Sequence, residues 1–404
     1  MNLKIYKNLK KLITLLFLFG VLKPIFIQAQ QQKLFSNEYS FRKKNNVSKF
    51  ETAKAWNFLK RAEREYDAGN LSEAVVLANK ANDENKNFYL SMHSAIKKAT
   101  NRKSILRLGD KITDVYNKLY DFEEYEVCKM LDEIFLTRSI KSFSNSMKNL
   151  YEYLEIRATA MPETAYLVGR VFEAQGEYIQ AKNYYNKAWA QKDYLQTRED
   201  KINILYSLSD VYLMLNEPKE AEKFLLAILA SDELYANKNK YSSQLNSMLK
   251  SLKGDKSTQK FFLLYRHDGS QALKATQMLT SLYATEGNYE KALETSACAV
   301  CIVTTELERY VKMKNFLFEY KNLSDLILKC ENDIAITTWA KERKFWETYL
   351  QFADILYRLK FLSQAESVYS TLGSSVPDYY LAQQAFYSLQ KIRSIKIQEQ
   401  TKEN

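Results

Sequence analysis

The chain has 404 residues, enough for two or three globular domains or one extended array. It carries 9 glycines and 4 prolines, far below average usage of roughly 7% and 5%. A chain so poor in turn and bulge formers is expected to be almost wholly helical. The net charge of +11 is well mixed, with no basic stripe or aromatic-interleaved arginine cluster, so nucleic acid is excluded as the expected partner.

The first 29 residues read as an export signal. Lys4, Lys7, Lys10 and Lys11 form a basic start with no acidic residue, and Leu12 to Leu22 supply the apolar stretch. Lys23 and Pro24 interrupt that stretch, and Ala29 suits cleavage. An uncleaved anchor facing the periplasm is the alternative, and membrane association is expected only in that case. No cysteine lies nearby for lipidation. Five lysines lie before residue 30, so cleavage lowers the net charge from +11 to +6. Residues 30–47 are polar, aperiodic and rich in Asn and Gln, and read as a flexible arm.

From Ser48 onward apolar residues recur at spacings of three or four, the helical period. A short pattern punctuates them: GNLSEA ending at Ala74, GEYIQA at Ala181, NEPKEA at Ala221, GNYEKA at Ala292 and KFLSQA at Ala365. Each copy sits between two amphipathic stretches, so each marks a helical hairpin too small to bury its own apolar face. Turns are expected at Gly69, Gly176, Asn216, Gly254, Gly269, Gly287 and Gly373. The expected regions are 48–160, 161–232 and 233–372, followed by a capping helix and tail over 373–404. The capping helix should open at Pro377, with Asp378 in its first turn, and end near Ile397.

The residues around the pattern resemble the tetratricopeptide repeat, a helix–turn–helix unit of 34 residues. In the best copy Val168, Gly169, Phe172, Gly176, Tyr178, Ala181, Tyr185 and Ala188 stand at the family's positions. Further copies start at Ala55, Ile202, Leu273 and Trp346, the first with Arg61 where Leu is usual. The resemblance implies an all-α fold, a right-handed α-solenoid of such hairpins with inserted helices and a C-terminal capping helix. Small residues at the eighth and twentieth positions let paired helices approach closely. The pattern alanines are spaced irregularly, at 107, 40, 71 and 73 residues. Degenerate hairpins are therefore expected over Glu233–Arg266 and Thr304–Arg343, and a weak copy around Val115, Tyr125, Cys128 and Phe135. Inserted helices are expected over His93–Leu106 and Arg138–Met161.

The resemblance also implies a concave face built from the second, fifth, ninth and twelfth residues of each first helix. These are Trp56, Leu59, Glu63 and Tyr66; Glu163, Tyr166, Arg170 and Glu173; and Asn203, Tyr206, Asp210 and Leu213. The later copies supply Lys274, Gln277, Ser281 and Ala284, then Glu347, Leu350, Asp354 and Tyr357. The Lys and Asn of the family's carboxylate clamp are absent. An aromatic, mixed-charge groove suits a segment of a partner protein, with Trp56, Tyr66, Tyr166, Arg170, Tyr206, Asp210, Gln277 and Tyr357 as candidate contacts.

Other chemistry is sparse. Cys298 and Cys301 form a CxxC, but mid-helix beside Ala299, where buried packing is the ordinary role. His93 and His267 read as surface or cap residues, and carboxylate runs such as Asp121–Glu126 read as solvated faces. No nucleophile elbow, phosphate loop or metalloprotease motif occurs. The expectation is a non-enzymatic scaffold or adaptor in the bacterial periplasm, without cofactor or metal, such as a collar-like part of a periplasmic flagellar motor. The alternatives are an assembly factor for outer-membrane proteins or lipoproteins, and a cell-wall enzyme with catalytic residues in the inserted helices.

Overall fold

A computed structural model describes residues 54–99, 116–117, 120, 125–136, 140–195, 197–331 and 333–403. The leader, the arm, Asp121 and Val115 lie outside the described residues. Among the described residues every regular element is helical, and the chain divides into two compact units between Thr197 and Arg198. That division runs through the span 161–232, which the repeat register groups together. Each unit has the expected fold of tetratricopeptide-like hairpins with added helices.

The first unit contains α1 (Lys54–Asp67), α2 (Leu71–Ala99), α3 (Tyr125–Leu136), α4 (Ile140–Thr159), α5 (Pro162–Ala174) and α6 (Tyr178–Ala190). Hairpins α1–α2 and α5–α6 are the two pattern-bearing repeats. Leu59, Ala62, Leu77, Ala78 and Ala81 join Met161, Leu167 and Val168 in one core. A second core packs the far end of α2 against α3 and α4 through Tyr89, Ile96, Leu131, Leu150 and Leu154. The expected inserted helix over His93–Leu106 does not start at His93; that residue lies within α2, which runs unbroken to Ala99. No Gly or Pro interrupts that span, so nothing stops the helix at repeat length. The expected insertion at Arg138–Met161 is α4. Arg157 ties it in: Nε donates to Tyr89 Oη at 3.0 Å and Nη1 to the Tyr194 carbonyl at 3.2 Å.

The second unit contains α7 (Arg198–Met214), α8 (Pro218–Leu229), α9 (Glu233–Ala236), α10 (Lys238–Gly254), α11 (Gln259–Leu264), α12 (Leu273–Thr285) and α13 (Tyr289–Lys314). It continues through α14 (Leu323–Glu331), α15 (Ile334–Glu342), α16 (Phe345–Arg358), α17 (Leu362–Ser375) and α18 (Tyr379–Glu403). Hairpins α7–α8, α12–α13 and α16–α17 carry the pattern. The hairpin expected over Thr304–Arg343 is corrected: Thr304 sits mid-way along α13, and only the short α14 and α15 follow. Val300, Val303, Leu307 and Val311 carry the helical spacing across the repeat boundary, all buried. The span Glu233–Arg266 holds one long helix flanked by two short ones.

The five pattern turns share one geometry. Gly69, Gly176, Asn216, Gly287 and Lys360 have φ of 82, 77, 60, 77 and 63°. The next N–H donates to the carbonyl five residues back, from Asn70 to Glu65 at 2.8 Å and from Phe361 to Leu356 at 2.9 Å in the first and last copies. The turn residue's own N–H reaches three back, as from Gly176 to Glu173 at 2.9 Å. This is the Schellman helix stop, which needs a left-handed residue and therefore favours Gly or Asn. The last residue of each pattern, Ala74, Ala181, Ala221, Ala292 and Ala365, is fully buried at 0% exposure.

Two glycines serve close approach instead of turns. A Cβ on Gly169 would lie 2.5 Å from the Tyr185 ring, so α5 and α6 touch there. Gly373, expected as a turn, lies inside α17, where its missing side chain admits the backbone of α18 near Ala382 and Phe386. The Asp378 carboxylate caps α18, accepting from the N–H groups of Tyr380 and Leu381 at 3.1 and 3.2 Å. The helix then runs through the expected tail to Glu403. No helix among the described residues is long and apolar enough to cross a membrane.

Candidate functional site

In the second unit the first helices of three hairpins, α7, α12 and α16, line a half-open cavity of about 1360 Å³. Asn203, Tyr206, Asp210 and Leu213 line it from α7, three or four residues apart on one face. Lys274, Gln277 and Ser281 line it from α12, and Glu347, Leu350 and Asp354 from α16. The remaining two register positions, Ala284 and Tyr357, are outside the lining; Lys391 of α18 lies over the Tyr357 ring at 5.5 Å.

Several wall residues are braces. Tyr206 Oη donates to the Gln271 carbonyl at 2.7 Å and accepts from the Ala275 N–H at 3.1 Å, which fastens α7 to the start of α12. Burial raises its phenol pKa. Lys274 Nζ meets Asp210 Oδ2 at 3.0 Å and lies over the Tyr206 ring at 4.8 Å. Gln277 Nε2 donates to Thr348 Oγ1 at 2.7 Å and to the Arg343 carbonyl at 3.1 Å, spanning from α12 to α16. Gln351 Nε2 donates to Ser281 Oγ at 2.8 Å across the same pair. Three of the predicted contacts, Tyr206, Asp210 and Gln277, thus spend polar groups on holding the wall together.

The lining is acid-rich: Glu199, Asp210, Glu286, Glu342, Glu347 and Asp354 face Lys274, Arg343 and Lys344. Arg343 Nη1 pairs with Glu306 at 3.5 Å. The Asp354 carboxyl is raised above its ordinary pKa by burial and accepts from the Tyr369 hydroxyl. Glu347 Oε2 is buried and has no hydrogen-bond partner. The repeat register reaches Glu347 and Asp354, whereas Glu199, Glu286, Glu342, Arg343 and Lys344 lie at helix ends that it does not count. Their signal in the sequence is position next to a turn.

The four predicted contacts of the first unit gather on its own helices. Arg170 lies over the Tyr66 ring at 4.2 Å and 4.0 Å from Asp67 Oδ1, joining α5 to α1. Tyr166 meets the ring of Tyr185 at 5.6 Å. Trp56 is half-buried against the α1–α2–α5 core. Leu59, a register position expected in the groove, is instead buried in that core; an apolar side chain there gains more from packing than from facing water.

The remaining reactive groups are internal. Cys298 and Cys301 are buried thiols mid-way along α13, and burial pushes the Cys298 pKa up to about 11. His93 packs edge-on to Tyr151 at 4.7 Å, with Nε2 3.8 Å from Glu155. The surface reading of His267 is corrected: its ring is buried against Tyr235, with Nε2 3.5 Å from Asp232 Oδ1. Gly269 makes room, since a Cβ there would lie 2.5 Å from His267 Nε2. Burial lowers the His267 pKa against the opposing pull of Asp232 and Asp268. No group of three or more metal-ligating side chains occurs among the described residues.

Repeated Schellman turns, buried pattern alanines and a cavity walled by first helices define a tetratricopeptide-like helical-hairpin protein. No protein-family model matches the chain. The chain belongs to the same family as an uncharacterized protein of Treponema pallidum (strain Nichols), with 32% identity over 334 residues, 83% of this chain and 89% of that one. An uncharacterized protein of Borreliella burgdorferi is 23% identical over 236 residues, 54% of this chain and 72% of that one. Among solved structures, the P58(IPK) TPR domain is 15% identical with a TM-score of 0.19, the match covering 86% of this chain and 99% of that domain.

Proposed function

We propose that this protein is a non-enzymatic scaffold that docks a segment of a partner protein in the cavity of its second unit. The observation that carries the reading is the wall itself: three first helices, held by Tyr206, Gln277 and Gln351, present one polar face each to a common space. A wall cross-braced before any partner arrives loses little side-chain freedom on binding. The basic, then apolar, start of the chain supports a place of work in the periplasm. The spirochaetal origin of both relatives is in keeping with a part of an envelope machine such as a flagellar motor collar.

The test is a photo-crosslinker placed at Leu350 in the full chain, in its native envelope. A single stoichiometric crosslinked partner is expected, and Asn203→Trp, which fills the cavity from α7, should abolish it. A broad set of unfolded clients would mean an assembly factor. Cleavage of isolated peptidoglycan, lost on one carboxylate substitution, would mean an enzyme. Crosslinking that Asn203→Trp leaves unchanged would remove the cavity from the function.

A further inference from the structure

We infer that the segment received by this cavity is cationic, a stretch of polypeptide presenting lysine or arginine side chains. This rests on the cavity being the docking site. Its size comes first: about 1360 Å³ exceeds the ~300–1,000 Å³ range of small-molecule pockets and suits several residues of chain.

Charge comes second. Six carboxylates line the space against three cations, in a chain whose net charge is +11, so the acidity is local and opposes the composition. Two of the three cations are already engaged, Lys274 with Asp210 at 3.0 Å and Arg343 with Glu306 at 3.5 Å. Glu306 is outside the lining, so the cavity keeps its excess of negative charge.

The third observation is Glu347. It stands in the first turn of α16 and lines the cavity, and its Oε2 is buried without a hydrogen bond. The Gln277 amide on the wall is committed, its Nε2 donating to Thr348 Oγ1 and to the Arg343 carbonyl. A buried carboxylate oxygen left unsatisfied is costly, and turning the Glu347 carboxylate toward a charged donor held in the cavity removes that cost. Leu213, Met278 and Leu350 add an apolar bed. A lysine or arginine side chain matches both features, with a methylene stem for the apolar bed and a charged head for the carboxylate.

The experiment measures binding of three blocked, labelled peptides to the full chain by fluorescence anisotropy. One alternates Lys and Ala, a second replaces each Lys by Gln, and a third replaces each Lys by Glu. The Lys peptide should bind at least tenfold more tightly than the Gln peptide, and should weaken between 50 and 200 mM salt. Glu347→Gln, nearly the same size, should reduce Lys-peptide affinity at least fivefold; Glu342→Gln serves as a second probe if that variant melts early. Asp67→Asn in the first unit should change nothing. Equal binding of the Lys and Gln peptides, or binding indifferent to both Glu347→Gln and Glu342→Gln, overturns the inference. If Asn203→Trp still blocks partner crosslinking in that case, docking stands and only the charge assignment falls. If Asn203→Trp crosslinks as wild type, docking itself falls.

Discussion

Backbone conformation at single residues carries much of this architecture. Lys360 holds a left-handed φ of 63° at a position where three of the five copies have glycine. An L-residue pays about 1–2 kcal/mol for that conformation, while glycine adds about 0.4–1 kcal/mol of unfolded-chain entropy. Lys360→Gly should therefore stabilise the protein by about 0.5–1 kcal/mol. At Gly176 a Cβ meets nothing within 4 Å, so Gly176→Ala should destabilise by about 1 kcal/mol through the backbone alone. Urea midpoints of the two variants, moving in opposite directions, check both. His267 supplies a pH dependence. Its folded pKa lies below the ordinary 6.5 because of burial, so below that value the unfolded chain binds more protons than the folded one. Stability contributed by the neutral ring is thus lost as pH falls from about 6.5 through the lower folded pKa. The urea midpoint should drop between pH 7 and pH 5 by more in wild type than in His267→Gln.

At the scale of elements, helix pairs are set by how closely they approach. Gly169→Ala pushes a methyl to 2.5 Å from the Tyr185 ring and should cost about 1–3 kcal/mol by overpacking, read as a lowered melting temperature. The last helix is fastened differently. Lys396 Nζ reaches Glu366 Oε2 at 2.7 Å and Arg393 Nε reaches Oε1 at 3.2 Å, bridging α18 to α17. The Lys396 hydrogen bond holds the Glu366 carboxyl below its ordinary 4.5, so this contribution exists above 4.5 and vanishes as pH falls through the folded pKa. The pair is partly solvated, so Glu366→Gln should cost about 0.5 kcal/mol. Roughly twofold faster amide exchange in α18 near pH 7, fading toward pH 4, would report it. What the sequence made legible here follows physical demand. Four of five turns declared themselves because a left-handed residue wants Gly or Asn; Lys360 hid because its own preference lies elsewhere. The full length of α13 was hidden by the 34-residue register, although the absence of Gly and Pro from Tyr289 to Lys314 permits it. Gly373 misled because a glycine that admits a neighbouring backbone looks, in sequence, like one that turns.

For the molecule as a whole, composition announced helices and the repeats announced hairpins, but the candidate site was half legible. The register reached the middle of each first helix and so found Asp210, Gln277 and Asp354; the acids at helix ends depend on how helices assemble, which no single repeat encodes. His267 misled because Arg266 and Asp268 beside it suggest water. The four cysteines give a global readout: all are buried thiols, one in the first unit and three in the second. A thiol-specific reagent should modify the native protein slowly and reach four thiols per chain on unfolding in urea; rapid labelling in the native state would contradict their burial. The Schellman turns have a kinetic consequence as well. Each joins two helices through a connection of a few residues, so its contacts close over short chain distances and lose little loop entropy. Hairpins of this kind close early, and each is stabilised as it gives the next a surface to condense on. A chain that folds as it emerges can therefore form these hairpins one after another, before the contacts that join α1 and α2 to α5 complete the core.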